Sequence, residues 1–182
     1  EVSGGKFYTI LDCAQGFFQI PVNPQQTHFL AFVTHHGLWE WLVCPFGHCT
    51  ASQSFQRVMD TLLRKHSSFA KAYIDDSIVY SSSWHSHLRH LENVLQSFKD
   101  ANMTLKLSKC KFGKPEIKYI GHIVGHGKRT PVHDKVQAIR SITVPTSKKA
   151  VRSFLGTIGF YRTYIPNFSA IAAPLTDLTK SS

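Results

Sequence analysis

Two adjacent carboxylates at the end of a short apolar run, Tyr73-Ile74-Asp75-Asp76, constrain this chain more than any other feature. A second run, Phe7-Tyr8-Thr9-Ile10-Leu11, ends on Asp12 in the same manner. Burying an ionised carboxylate costs several kcal/mol unless a cation or hydrogen-bond donors offset it. The fold must therefore carry both run ends to a place where charge is tolerated. Successive residues of a continuous strand point to opposite faces, so the Asp pair belongs at a hairpin tip, where a turn can aim both side chains at one site. Three carboxylates from two strand-like runs suit a hard divalent cation, Mg²⁺ or Mn²⁺. A carboxylate-held metal pair is the apparatus of phosphoryl transfer.

Around these acids the chain reads as α+β. Residues 7–12 are apolar on both faces and predict a central strand. Thr27 to Thr34 and Leu38 to Val43, separated by His35-His36-Gly37, predict a hairpin. Pro45-Phe46-Gly47 is a turn. A helix follows with Ala51, Phe55, Val58, Met59, Leu62 and Leu63 on one face, for which Thr50 or Ser52 can cap. Ala72 to Tyr80 reads as strand-turn-strand around the Asp pair. Leu88, Leu91, Leu95 and Phe98 mark a second amphipathic helix, and Tyr119 to Val124 one more strand, stopped by Gly125 and Gly127. After about residue 127, Pro131, Pro145, Pro166 and Pro174 punctuate short helical pieces, the longest lined by Val151, Phe154, Leu155 and Ile158. The order predicts an antiparallel sheet backed by two helices, followed by a small helical subdomain.

Charge narrows the function. Lys plus Arg is 21 against 11 for Asp plus Glu, a net charge of +10. A basic domain whose few acids gather at a metal site faces polyanions, nucleic acid above all. Cys13, Cys44, Cys49 and Cys110 form no CxxC pair, which argues against zinc modules and disulfide scaffolds and for reduced thiols inside the cell. No apolar run approaches the ~18 residues of a membrane span. The chain opens on Glu1 without Met, as expected of a piece of something longer. His85, His87 and His90 have metal-like spacing, but no carboxylate or Cys joins them, so surface or packing roles are expected. Trp39 and Trp41 share one face of the predicted hairpin and are expected to pack.

Read in order, Leu11-Asp12 with Phe17, Gln19-Ile20-Pro21, Pro45-Phe46-Gly47, Phe55-Gln56, Tyr73-Ile74-Asp75-Asp76 and Tyr119-Ile120-Gly121-His122 form one pattern. With Arg152 to Gly156, Tyr161-Arg162 and Ile165 to Ser169, the chain resembles the reverse transcriptase of LTR retrotransposons, most closely the gypsy class, over nearly all 182 residues. The resemblance implies a right-hand polymerase: an α+β palm with partial fingers at about 23–69, within residues 1–125, then a small helical thumb and the start of the connection at 126–182. It implies that the family's earlier fingers segment lies outside these residues. Ribonuclease H, integrase and that fingers segment are the other Pol parts it would work with. It also implies a cytoplasmic setting in retrotransposon particles.

Residue roles follow from the same resemblance. Asp12, Asp75 and Asp76, with the Cys13 backbone carbonyl, would hold two Mg²⁺ ions, for which Mn²⁺ can substitute. Lys109 would protonate pyrophosphate. Gln15, Gly16, Phe17, Phe46, Gly47 and Tyr73 would bind the incoming dNTP and template, with Phe17 excluding a 2′-hydroxyl by shape and Gly16 permitting close approach. Tyr119, Ile120, Gly121 and His122 would grip the primer. The implied reaction is RNA-directed DNA synthesis on a template-primer. A catalytically incomplete remnant that only binds nucleic acid, or a two-metal nuclease, would share parts of this pattern.

Overall fold

The computed structural model describes residues 2–180, and two compact units account for them. The first runs through Ile120 and includes Val124–Lys128; the second holds Gly121–Ile123 and the chain from Arg129 onward.

The first unit is built on an antiparallel sheet in the order β4-β5-β1-β6. Its strands are β1 (Phe7–Asp12), β4 (Ala70–Tyr73), β5 (Asp76–Ser81) and β6 (Lys111–Lys114); β2 (Ala31–Thr34) and β3 (Gly37–Glu40) form a separate two-stranded hairpin. β1 lies between β5 and β6, which explains why it is apolar on both faces. Alternation sorts its side chains. Leu11, with Val79 of β5, packs on α1 (Ala51–Leu63) and α2 (Trp84–Asp100) through Phe55, Met59, Leu91, Val94 and Phe98. Tyr8 and Ile10, with Ile78 and Tyr80, pack on the other face against Ile117, Tyr119 and Val124.

Several expectations shift in detail. The predicted strand from Thr27 begins only at Ala31, because Pro24–Leu30 is 3-10 helical, with Pro24 in its first turn and the Asn23 side chain accepting from Gln25 N–H. Thr50 precedes α1 but its hydroxyl does not cap it; it pairs with His48 Nδ1 at 3.2 Å instead. The buried stripe of α2 is His87, Leu91, Val94 and Phe98, while Leu88 and Leu95 are 48% and 37% exposed. The single strand expected over Tyr119–Val124 is two, β7 (Glu116–Tyr119) and β8 (His122–Gly125), and β9 (Lys128–Pro131) follows. Ile120 and Gly121, then His126 and Gly127, all take positive φ. Two-residue turns of that kind match the twist of a hairpin, so the chain reverses where a continuous run was expected.

The second unit carries α3 (His133–Arg140), α4 (Lys148–Gly159) and α5 (Phe168–Asp177). Ser147 caps α4 by accepting from Ala150 N–H, and α4 packs on α5. Val151 is buried; Phe154, Leu155 and Ile158 are half-buried. Pro174 lies inside α5 and does not end it.

Candidate active site

Hairpin geometry sets the acids. Tyr73 pairs with Asp76, leaving Ile74 and Asp75 as the turn between β4 and β5. Asp75 is exposed at the tip, and Asp76, the first residue of β5, is half-buried. Asp76 lies opposite Asp12, the last residue of β1. Three carboxylates therefore share one end of the sheet. Burial, and then the charges of Asp75 and Asp12, raise the Asp76 carboxyl above its ordinary range; Lys109 and Lys111 pull the other way. Lys109 Nζ stands 3.6 Å from Asp12 Oδ2, with the lysine 58% exposed, an ion pair that solvent screens.

The segment after β1 forms the floor. Lys106 N–H donates to the Asp12 carbonyl at 2.8 Å, and Ala14 N–H to the Thr104 carbonyl at 3.0 Å. These bonds flank Cys13, whose own carbonyl consequently faces the opposite side, towards the turn that carries Asp75. The Cys13 thiol is buried and pushed up to about 12, first by desolvation and then by Asp12, Asp75 and Cys110. It stays protonated, so only its backbone suits a hard cation. Among the described residues, no three His, Cys, Asp or Glu side chains form a ready-made ligand cluster. The donor set nevertheless fits a hard cation: carboxylate oxygens whose mutual repulsion a bound cation would relieve.

Beside the acids a cleft of about 570 Å³ is bounded by Cys13–Phe17, Phe46, Asp75, Leu105, Lys106 and Lys109. Gln15 is exposed at φ +50. Phe17 is half-buried between Phe46 and Phe55, at ring distances of 5.2 and 5.7 Å. Gly16 departs from the expected reason for a glycine: a Cβ there would sit 2.8 Å from the Phe55 ring, so packing requires its absence. Phe46 is exposed and Gly47 has φ +90. Tyr73 is exposed on the edge strand. A larger cleft of about 1020 Å³, lined by Arg57, Leu62, Arg64 and Asp100 among others, holds none of the acids.

The Tyr119–His122 block is divided. Tyr119 is buried in the first unit, its hydroxyl pushed up to about 12 by burial and then by Asp76; Ile120 belongs to the same unit. Gly121 and His122 belong to the second. There His122 stacks on Phe160 at 5.2 Å and its Nδ1 pairs with Tyr164 hydroxyl at 3.0 Å. Burial, then Arg129, lowers the pKa of His122.

Two glutamines carry more of the site than sequence reasoning assigned to them. Gln19 Nε2 donates to the Thr104 carbonyl at 3.0 Å, and its Oε1 accepts Thr104 N–H at 2.8 Å, pinning the loop after Asp12 to the segment that leads to Lys109. Gln56 bonds the acid-bearing hairpin. Both stood within the motifs, but only contact shows what an amide does. His87 is fully buried, bonded to Thr9 and Ser81, and His90 stacks on Phe69, so these histidines pack. Trp41 stacks on Phe18, whereas Trp39 is 54% exposed.

Residues 1–124 match the family model for reverse transcriptase (RNA-dependent DNA polymerase). The retrovirus-related Pol polyprotein from transposon 297 of Drosophila melanogaster is 40% identical over 96% of this chain, and that from transposon gypsy of the same fly is 37% identical over 96%. This chain covers 17% of each of them. Among solved structures, foamy viral protease-reverse transcriptase in complex with dsDNA aligns with a TM-score of 0.85 at 26% identity, over 95% of this chain and 36% of that one. The same protein in complex with RNA/DNA hybrid aligns at 0.83 and 26%, over 97% and 24%.

Proposed function

Because this chain belongs to the reverse transcriptase family, within the Pol polyproteins of LTR retrotransposons, we propose that it is the palm, partial fingers and thumb of an RNA-directed DNA polymerase. One observation carries the reading: Asp12 and Asp76 are strand partners with Asp75 at the adjoining tip, beside a cleft lined by two aromatic rings and two lysines. Asp12, Asp75, Asp76 and the Cys13 carbonyl would hold two divalent ions, which in this family supply charge neutralisation at the phosphates and acidify the primer 3′-hydroxyl. Phe17, wedged between Phe46 and Phe55, gives the cleft a rigid wall where a sugar would lie. That wall supports selection of deoxynucleotides by shape. Lys109, mostly exposed and already near Asp12, is free to follow a phosphate. RNA or DNA template-primer and dNTPs are the partners, together with other Pol segments, in retrotransposon particles.

Primer extension on an RNA template with dNTPs and Mg²⁺ tests the proposal, using the polymerase that carries this segment. Extension is expected, and Asp75→Asn should lower it by at least about a thousandfold, on the order of 4 kcal/mol, while template-primer binding survives. Binding without extension by the unaltered protein would overturn the enzymatic reading.

A further inference from the structure

We infer that Gln56 is a positioning residue whose side-chain amide holds the acid-bearing hairpin in a conformation that the hairpin's own residues disfavour. The inference rests on the polymerase reading of the acids and names what sets two of them.

Gln56 sits half-buried on α1, which packs against β4. β4 is an edge strand, so alternate backbone groups on its outer side lack a ladder partner. Two of these groups flank Tyr73, and Gln56 takes both. Its Oε1 accepts Ile74 N–H at 2.6 Å and its Nε2 donates to the Ala72 carbonyl at 3.2 Å. Nε2 also donates to Asp60 Oδ1 at 2.8 Å, one helical turn further on. The amide can face only one way: reversed, its oxygen would meet a carbonyl and a carboxylate, and its NH₂ would meet an N–H. The side chain thus serves as a one-residue extension of the sheet, ending where the turn begins.

What it holds there is strained. Ile74 has φ +53, a left-handed conformation that the β-branched side chain of an L-residue disfavours. Such a conformation persists only where its surroundings over-determine it. Asp75 is the next residue and Asp76 the one after. Were Ile74 to relax to negative φ, the tip would rotate and carry Asp75 away from the end of β1. Gln56 is not part of the lining of the cleft beside the acids; it acts through the turn.

The test is a double-mutant cycle between Gln56→Met and Ile74→Gly. Glycine adopts positive φ without strain, so it should relieve the need for the clamp. Gln56→Met alone is expected to weaken Mn²⁺ binding, and to lower kcat for primer extension, each about tenfold. KM for template-primer should stay within about twofold. In the Ile74→Gly background the same substitution should cost less than about threefold. An equal loss in both backgrounds, or no loss in either, overturns the inference. Should Gln56→Met not fold, Gln56→Glu retains the acceptor for Ile74 N–H while losing both donors, and an unchanged kcat and Mn²⁺ affinity in it would be equally fatal. Hydrogen exchange at the Ile74 amide, without metal or nucleotide, separates the two readings. Faster exchange in Gln56→Met with no extension by any protein, wild type included, keeps the clamp and removes the polymerase. Extension abolished by Asp75→Asn, with exchange and kcat unchanged in Gln56→Met, keeps the polymerase and removes the clamp.

Discussion

At the scale of single residues, the site is crowded by packing as much as by charge. Gly16 is fitted to the Phe55 ring, which is fully buried and itself meets Phe17. Gly16→Ala should therefore destabilise the first unit by about 1–3 kcal/mol, the usual cost of overpacking, and urea unfolding should read it directly. Ser77 follows Asp75-Asp76, fully buried, and its hydroxyl has no hydrogen-bond partner among the described residues. Ser77→Ala is expected to stabilise the protein by about 1 kcal/mol, since an unsatisfied buried hydroxyl keeps its desolvation penalty. A lower urea midpoint in that variant would contradict this. The motif residues were legible because their chemistry is expensive to misplace. The reason for Gly16 was not, because nothing in a linear pattern says which ring will stand above it.

At the scale of elements, the docking of α2 illustrates the gap between pattern and contact. Leucine spacing marks a helix over these residues, yet its buried face begins with a histidine in the first turn. His87 joins Thr9 Oγ1 at 2.8 Å and Ser81 Oγ at 2.9 Å, and Ser81 also meets His90 at 2.8 Å, so one polar cluster ties α2 to β1 and β5. Burial, then the neighbouring His90, lowers the His87 pKa; burial and Arg89 lower that of His90. Burial, Lys65 and His90 do the same to His66, whose ring pairs with Ser97 at the far end of α2. The folded form binds fewer protons than the unfolded one between the depressed pKa values and about 6.5. Stability is therefore fully present above pH 6.5 and is lost as pH falls below it. Amide exchange along α2 should accelerate between pH 6.5 and 5, after correction for intrinsic rates, and His87→Gln should flatten part of that dependence. The turns at Ile120-Gly121 and His126-Gly127 show the same limit from the other side. Ile120 reads as a strand residue, and positive φ at Ile120 and Gly121 turns the block into a hairpin.

At the scale of the whole molecule, a net charge of +10, with three of the 11 acids drawn together at one sheet end, predicts nucleic-acid binding dominated by phosphate contacts. Affinity should fall with salt along a log–log slope of about −4 or steeper if five or more phosphates are neutralised. Fluorescence anisotropy between 50 and 200 mM salt, roughly the range over which such losses are read, measures it; a flat response would contradict the basic surface as the binding surface. The order of elements as far as α2, the α+β class and the family were determined by the sequence itself. Hydrophobic period, turn residues and paired carboxylates are local signals that each segment carries alone. Tertiary structure alone decided which acids face each other, which glycine answers to which ring, and which amide steadies the turn. Those outcomes depend on residues 18 to 104 positions apart meeting in the fold, as Gln56 of α1 meets Ile74 and Thr9 of β1 meets Gly113. Asp75-Asp76 could be singled out from its neighbours in the chain; what holds it in place comes from elsewhere in the fold.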